Sequence, residues 1–489
     1  MKNTTRILAL LLALVLTLGL GVTAFAAGTN TITVKDAVNG QKYELYKILD
    51  VAVNDDHTAY SYTVNSTWAD FFKAAENDTP AGKGLTYVKI DSQGYVTWKE
   101  NADVAAFAKD AEAFAKTLTA LNTIAPDKDG DITFSDLEAG YYLVTSTLGT
   151  KAIVGTTPST PNPVIQEKNE VPTNVKTVEE DSTGNYGSTN DADIGQTVNF
   201  KSTITAQPGA ENYVFEDTMS GGLTYKNDAK VYTNDTMTTE LAAANYTVNN
   251  NPGDGKTFTI TFTQSYLDTI TSKTTLYVKY SATLNEGAVV GLPGNSNKSK
   301  LKYGDSTNTK STPESETITY TWDLGVLKYG NNDKNNVLEN AQFVLLNKDK
   351  DKDKVAVVVN GKLTGWVDVP AAGEDRTITW PANTILTTGN DGKIHVDGLD
   401  ADTYYLREIE APAGYNKLAD DFEVVIKGAT KEESDNLTYT TVVAEVNNQS
   451  GTQLPSTGGV GTTIFYVLGG ILAVGAAVLL IARKRAGRA

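Results

Sequence analysis

Segments such as "QTVNFKSTI", "KTFTITFTQSY" and "TTLYVKYSATL" alternate Thr, Tyr and Val with other residues. A period of two sends successive side chains to opposite faces, so these segments read as half-buried strands rather than helices. Asn and Gly clusters between them supply the turns. Short strands at regular spacing indicate β-sandwiches. The expected fold is mostly β, with three tandem Ig-like β-sandwich domains. The first carries helical insertions, and a signal peptide and a C-terminal transmembrane helix flank the set.

The helical insertion is expected in "NADVAAFAKDAEAFAKTLTALN", where Val104, Phe107, Ala111, Phe114 and Leu118 recur at helical spacing. That stripe is expected to pack on the sheet. "TTPSTPNP" (156–163) is a Pro/Thr linker, and "GDSTNTKSTPESET" (304–317) marks a second boundary. The expected division is 1–26, 27–167, 168–314, 315–453 and 454–489. "DGDITFSDLEAGYYLV" (129–144) echoes "DGKIHVDGLDADTYYLRE" (391–408), which suggests a duplicated module.

The two ends are apolar. Lys2 and Arg6 precede the stretch Ile7–Val22 and then Ala24-Phe25-Ala26, a secretory signal with cleavage expected after Ala26. Val460–Ala482 carries no charge, and at about 1.5 Å per residue it spans a hydrocarbon core of about 30 Å. Arg483, Lys484, Arg485 and Arg488 follow, so the C-terminus is expected in the cytoplasm. Everything between the two ends is expected to be exported.

Composition removes several function classes. A formal charge of −17 argues against a nucleic-acid partner. There is no cysteine, so an exported body must find its stability in cores or in another covalent staple. His57 and His395 are the only histidines, and no nucleophile motif accompanies either, so no wall hydrolase is supported. "DKDGDITFSDLE" imitates a calcium loop through Asp127, Asp129, Asp131 and Glu138, but Ile132 stands where that loop needs Gly. A turn and two strands explain it better, and "NKDKDKDKV" (347–355) reads as a solvated turn. No metal and no cofactor are expected.

Leu454-Pro455-Ser456-Thr457-Gly458, followed by the apolar span and the basic tail, resembles the LPxTG sorting signal of Gram-positive surface proteins. In that family a sortase cuts between Thr and Gly and passes the Thr to an amine. "YYLREIEAPAGY" (404–415) is similar to the E-box of Gram-positive pilins, YxLxETxAPxGY, with Ile409 at the usual Thr. With the signal peptide and domain plan, the chain resembles a major (backbone) subunit of sortase-assembled pili, built from isopeptide-forming, collagen-adhesin-like (Cna-type) domains.

The resemblance implies two sets of residues. Backbone pilins hold a linking lysine in a motif resembling VYPKN. Here the matching text is Ile165-Gln166-Glu167-Lys168-Asn169, which keeps Lys-Asn but not Tyr-Pro. Lys168 is the implied amine for Thr457 of the next subunit. Family members also join a first-strand Lys to a last-strand Asn, assisted by Asp or Glu. The implied set is Lys328, Glu408 and Asn448 in the third domain, and Lys176, Asp217 and Asn297 in the second. Each Lys–Asn pair encloses about 120 residues, enough for a first-to-last strand link. Asn447 and Asn295 remain alternatives. Neighbouring strand residues face opposite ways, so only one of Asn447 and Asn448 looks inward. In the first domain the alignment of "GYYLVTST" with "TYYLREIE" puts Thr145 at the Glu408 position. No link is expected there, although Lys35 and Lys47 lie on early strands.

The chemistry suits these residue types. Burial disfavours both charges, lowering a lysine pKa and raising that of a carboxyl. A neutral amine can then attack the Asn amide while the acid moves protons. The expected role is a structural fibre subunit, not a turnover enzyme, at the surface of a Gram-positive cell. The expected partners are a sortase, further copies of the chain, minor pilins, peptidoglycan and an unidentified host ligand. A monomeric wall-anchored adhesin or minor pilin is the alternative, and the linking lysine separates the two.

Overall fold

In the computed structural model of the 489-residue chain, the described residues are 30–53, 60–74, 80–157, 160–304, 309–347, 353–373, 378–429, 436 and 439–451. The expected signal peptide, Leu454–Gly458 and the apolar run Val460–Ala482 lie outside them, as do His57 and most of "NKDKDKDKV". Among the described residues no helix is long and apolar enough to cross a membrane. The chain divides into two compact units. One holds residues 1–190, 197–288 and 294–319, and the other holds 191–196, 289–293 and 320–489.

The first unit contains two sandwiches. In the first, a three-stranded sheet runs Val164–Gln166, Asn30–Ala37, Gly130–Leu137. A seven-stranded sheet centres on Tyr43–Val53 and Gly140–Ser146. Ile32, Val34, Tyr43, Leu45, Phe134, Tyr142 and Val144 fill the core between them. These residues alternate along their strands, as a half-buried pleat requires. A second core holds the expected helix, Val104–Ala115. Asp103 caps it by accepting from the backbone N–H groups of Ala105 and Ala106 (2.9 and 3.0 Å). Phe107, Ala111 and Phe114 are buried against Trp68, Phe71 and Leu143, while Val104 is only half-buried.

The calcium-like text forms the strand Gly130–Leu137 and the turn before it. Asp129 and Asp131 accept from the backbone of Asn39 and Asp36 (2.7 and 3.2 Å), which closes a turn.

In the second sandwich, a six-stranded sheet pairs Thr173–Glu180 with Thr197–Ala206 and that strand with Thr274–Leu284. A seven-stranded sheet centres on Val214–Met219 and Asn295–Tyr303. The boundary expected at 314 falls before the strand Ser315–Tyr320. That strand pairs with Asn295–Tyr303 through Ser315↔Ser299 to Thr319↔Asn295, so it closes the second sandwich instead of opening the third. The polar run before it looked like a linker, but its described residues Lys310 and Ser311 pair with Tyr303 and Lys302.

The second unit is the third sandwich. Its strands form one continuous path whose two halves meet at a single pair, Lys362↔Asp397. The internal echo is one of topology. Gly130–Leu137 pairs with the opening strand Asn30–Ala37, and Lys393–Leu399 pairs with the opening strand Trp322–Gly330. Each opening strand also has a parallel closing partner, Val164–Gln166 in one case and Val442–Asn448 in the other.

Candidate functional site

Lys176 lies on Thr173–Glu180, where Asn174, Lys176 and Val178 face inward. The same period turns Phe215 and Asp217 inward on Val214–Met219, and Asn295, Asn297 and Ser299 inward on Asn295–Tyr303. Cross-strand register then selects the group. Lys176 Nζ donates to Asn297 Oδ1 at 2.6 Å and pairs with Asp217 Oδ2. All three side chains are buried. Asn295 also faces inward, but its amide donates to the Thr319 carbonyl (3.2 Å), and a Cβ at Gly222 would sit 2.1 Å from its Oδ1. The close approach of that glycine backbone holds Asn295 apart from the lysine.

Aromatic rings enclose the cluster. Phe200 and Tyr280 stack with centroids 5.5 Å apart, and Lys176 Nζ lies 5.7 and 5.4 Å from their centres. The Tyr280 hydroxyl donates to Asp217 Oδ2 (2.5 Å), and Asn297 Nδ2 donates back to that hydroxyl (3.4 Å). Burial pushes the Lys176 amine down to about 8, against the opposing pull of Asp217. Burial likewise raises Asp217, although Lys176 and Tyr280 pull the other way. Asp217 Oδ1 is buried with no hydrogen-bond partner. An orphaned carboxylate oxygen in apolar surroundings favours the protonated acid.

The third sandwich repeats the arrangement from different strands. Leu324, Val326, Lys328 and Gly330 face inward on one strand, Tyr404, Leu406 and Glu408 on a second, and Ala444, Val446 and Asn448 on a third. Lys328 Nζ donates to Asn448 Oδ1 and stands 3.2 Å from Glu408 Oε1. Asn448 Nδ2 donates to both Glu408 oxygens (2.8 and 3.1 Å), and the Leu418 N–H donates to Glu408 Oε2 (2.7 Å). Lys328 Nζ lies 5.4 Å from the centre of the Phe343 ring. Burial lowers the Lys328 pKa against the opposing effect of Glu408. Asn447, on the other face of the pleat, accepts from the Asn332 N–H (2.9 Å).

The first sandwich lacks such a cluster among its described residues. Thr145 faces the helix side, where it lines a cleft with Tyr46, Glu112 and Ala115. The inward residue is Ser146, which donates to the buried Glu167 (3.2 Å). The sequence alignment of the paired tyrosines is therefore one residue out of phase with the pleat. Lys35 is exposed. Lys47 contacts Asp50 and Glu138 (2.8 and 2.7 Å), which are 38% and 70% exposed. Burial alone would lower the Lys47 pKa, but these two carboxylates outweigh it and raise it. A lysine held as ammonium is no nucleophile.

Lys168 is exposed, two residues past the strand Val164–Gln166. Its backbone N–H and that of Asn169 donate to Glu167 Oε1 (2.9 and 3.0 Å). Sequence reasoning missed Tyr280, Phe200 and Phe343. The alternating text marked the strands of Phe200 and Tyr280, but only register shows which rings meet the lysines.

Comparison with known proteins matches this architecture. Residues 194–307 match the Gram-positive pilin backbone subunit 2, Cna-B-like domain, and residues 323–440 match a prealbumin-like fold domain. Residues 446–486 match the LPXTG cell wall anchor motif. The chain thus carries a pilin backbone Cna-B-like domain and a prealbumin-like domain, followed by an LPXTG cell wall anchor motif.

The T6 backbone pilin of serotype M6 Streptococcus pyogenes, a modular three-domain protein, is similar in fold. Its TM-score is 0.53 at 15% identity, covering 83% of this chain and 81% of that one. The full-length major pilin SpaD of Corynebacterium diphtheriae gives a TM-score of 0.49 at 20% identity, covering 87% of this chain and 98% of that one. A curated relative, the fimbrial subunit type 1 of Actinomyces viscosus, is 36% identical over 88 residues. That match spans 18% of this chain and 16% of the relative's length.

Proposed function

We propose that this chain is a repeating structural subunit of a covalent surface pilus, joined head to tail by a sortase and stapled internally by two Lys–Asn isopeptide bonds. The observation that carries this reading is the paired burial of Lys176–Asp217–Asn297 and Lys328–Glu408–Asn448, each linking an opening strand to a late strand of one sandwich. Between amine and acid the proton moves to the carboxyl, which leaves a neutral Nζ beside a polarised amide. The Nζ–Cγ bond forms and the Cγ–Nδ2 bond breaks. The proton lost by Nζ passes through the carboxyl to Nδ2, which leaves as ammonia. The reaction runs once per site, so the protein is not a turnover enzyme.

The direct test is the intact mass of residues 27–453. A deficit of two ammonias is the expected result, and peptide mapping should join Lys176 to Asn297 and Lys328 to Asn448. A mass equal to the plain sequence would remove the cross-links and favour a simple anchored adhesin.

The second-sandwich bond should also show a pH limit. The productive state holds one proton shared between Lys176 and Asp217. A second proton at low pH charges the amine. Above the lowered lysine pKa of about 8 the pair loses its only proton, and with it the acid. Refolding unlinked chain at graded pH, with ammonia loss followed by mass, should therefore give a rate that falls as pH rises through about 8. A rate that climbs through that range would contradict the shared-proton mechanism.

A further inference from the structure

In the third sandwich three donors converge away from the lysine cluster. Asp323, on Trp322–Gly330, is paired directly with Asp397 on Lys393–Leu399. His395 lies two residues before Asp397, so both face the same side of the sheet. His395 Nε2 is 2.7 Å from Asp397 Oδ1 and 3.8 Å from Asp323 Oδ2. One donor atom from each residue lies within 4.8 Å of the other two. Like charges directly opposite on neighbouring strands destabilise a sheet. The cost is greater here because Asp323 is only 8% exposed, so water screens it poorly. Both carboxylates are nevertheless aimed at one imidazole.

We propose that Asp323, His395 and Asp397 form a binding site for a divalent first-row transition ion, with Zn2+ the best fit. An imidazole beside two carboxylates suits such an ion, whereas Ca2+ and Mg2+ prefer all-oxygen shells with more ligands. Tetrahedral Zn2+ with donors near 2.1 Å needs them about 3.4 Å apart, and the observed 2.7 and 3.8 Å bracket that spacing. Small side-chain rotations close the difference. The Thr441 hydroxyl donates to Asp323 Oδ2 (2.6 Å) and orients the buried carboxylate, as outer partners of metal ligands do. The fourth position stays open to solvent on the side of His395, whose side chain is 54% exposed. The ion would tie the beginning of Trp322–Gly330 to Lys393–Leu399, while Lys328 lies further along the same strand.

Equilibrium dialysis of residues 27–453, which contain every described element, against ZnCl2 tests the site. Saturable binding of one ion per chain is expected, with Co2+ giving visible d–d absorption when substituted. His395→Ala and the near-isosteric Asp397→Asn should each weaken binding more than about tenfold, a typical loss for one ligand, while His57→Ala leaves it unchanged. Circular dichroism should show both site variants folded. Absence of saturable binding, or binding that survives both site variants, overturns the proposal and leaves His395 as a hydrogen-bonding partner of Asp397.

Discussion

Glu408→Ala is expected to fall short of its own sequence mass by one ammonia where the parent falls short by two, with a third sandwich that unfolds on the order of 20 °C lower. Glu408 is the only carboxyl in contact with both Lys328 and Asn448 among the described residues. Without it, nothing takes the lysine proton or returns one to the leaving amide nitrogen. The link encloses about 120 residues, and closing a loop of that size contributes about 5 kcal/mol by the chain-entropy account. A second cost arises because Lys328 is fully buried, and an uncompensated buried charge costs about 3–5 kcal/mol. Asn448→Ala separates the two terms, since it removes the link but keeps the Lys328–Glu408 pair. Its unfolding temperature should fall between those of the parent and of Glu408→Ala. Mass spectrometry and calorimetry read both effects, and a Glu408→Ala chain that still lacks two ammonias relative to its own sequence would sink the mechanism.

Lys168→Arg should abolish polymerisation without disturbing the fold. Lys168 is exposed, so the charge-conserving change touches no core. Arginine stays protonated at any working pH and offers no nucleophilic nitrogen to an acyl-enzyme. Co-expression with a pilus-type sortase should give a denaturant-resistant ladder for the parent and only monomer for the variant. Thermal unfolding and the two internal mass losses should match the parent. Lys176 is no substitute, because it is 3% exposed and held between Asp217 and Asn297. An unchanged ladder would assign the linkage to another lysine. The absence of any ladder from the parent would favour a single anchored adhesin.

Much of this architecture was legible from residue order alone. The two-residue period announced the strands, the Val104–Leu118 stripe announced the helix, and the matching strand–turn–strand text announced the repeated topology. The same period also separates Asn448 from Asn447, since a pleat alternates faces. The period specifies a face and nothing more. Asn295 and Asn297 share one face, and only the packing of Gly222 and the pairing of Met219 with Asn297 decide which meets Lys176. Tyr280 became part of the acid's environment through its place on a neighbouring strand, a relation that no spacing within its own strand encodes.

Two further points needed the tertiary structure for the same reason. Thr145 aligns with Glu408 in text, yet the pleat of Gly140–Ser146 turns Ser146 inward, because each strand of a sandwich has its own phase relative to the core. Ser315–Tyr320 follows a turn-rich stretch that reads as a linker, yet its partner is Asn295–Tyr303. The sequence by itself determined which residues are strand-forming and which lysines, carboxyls and asparagines are candidates for the proposed links. Register and burial were decided only by the assembled sheets. An amine becomes a nucleophile through what surrounds it, and those neighbours lie up to about 120 positions away along the chain.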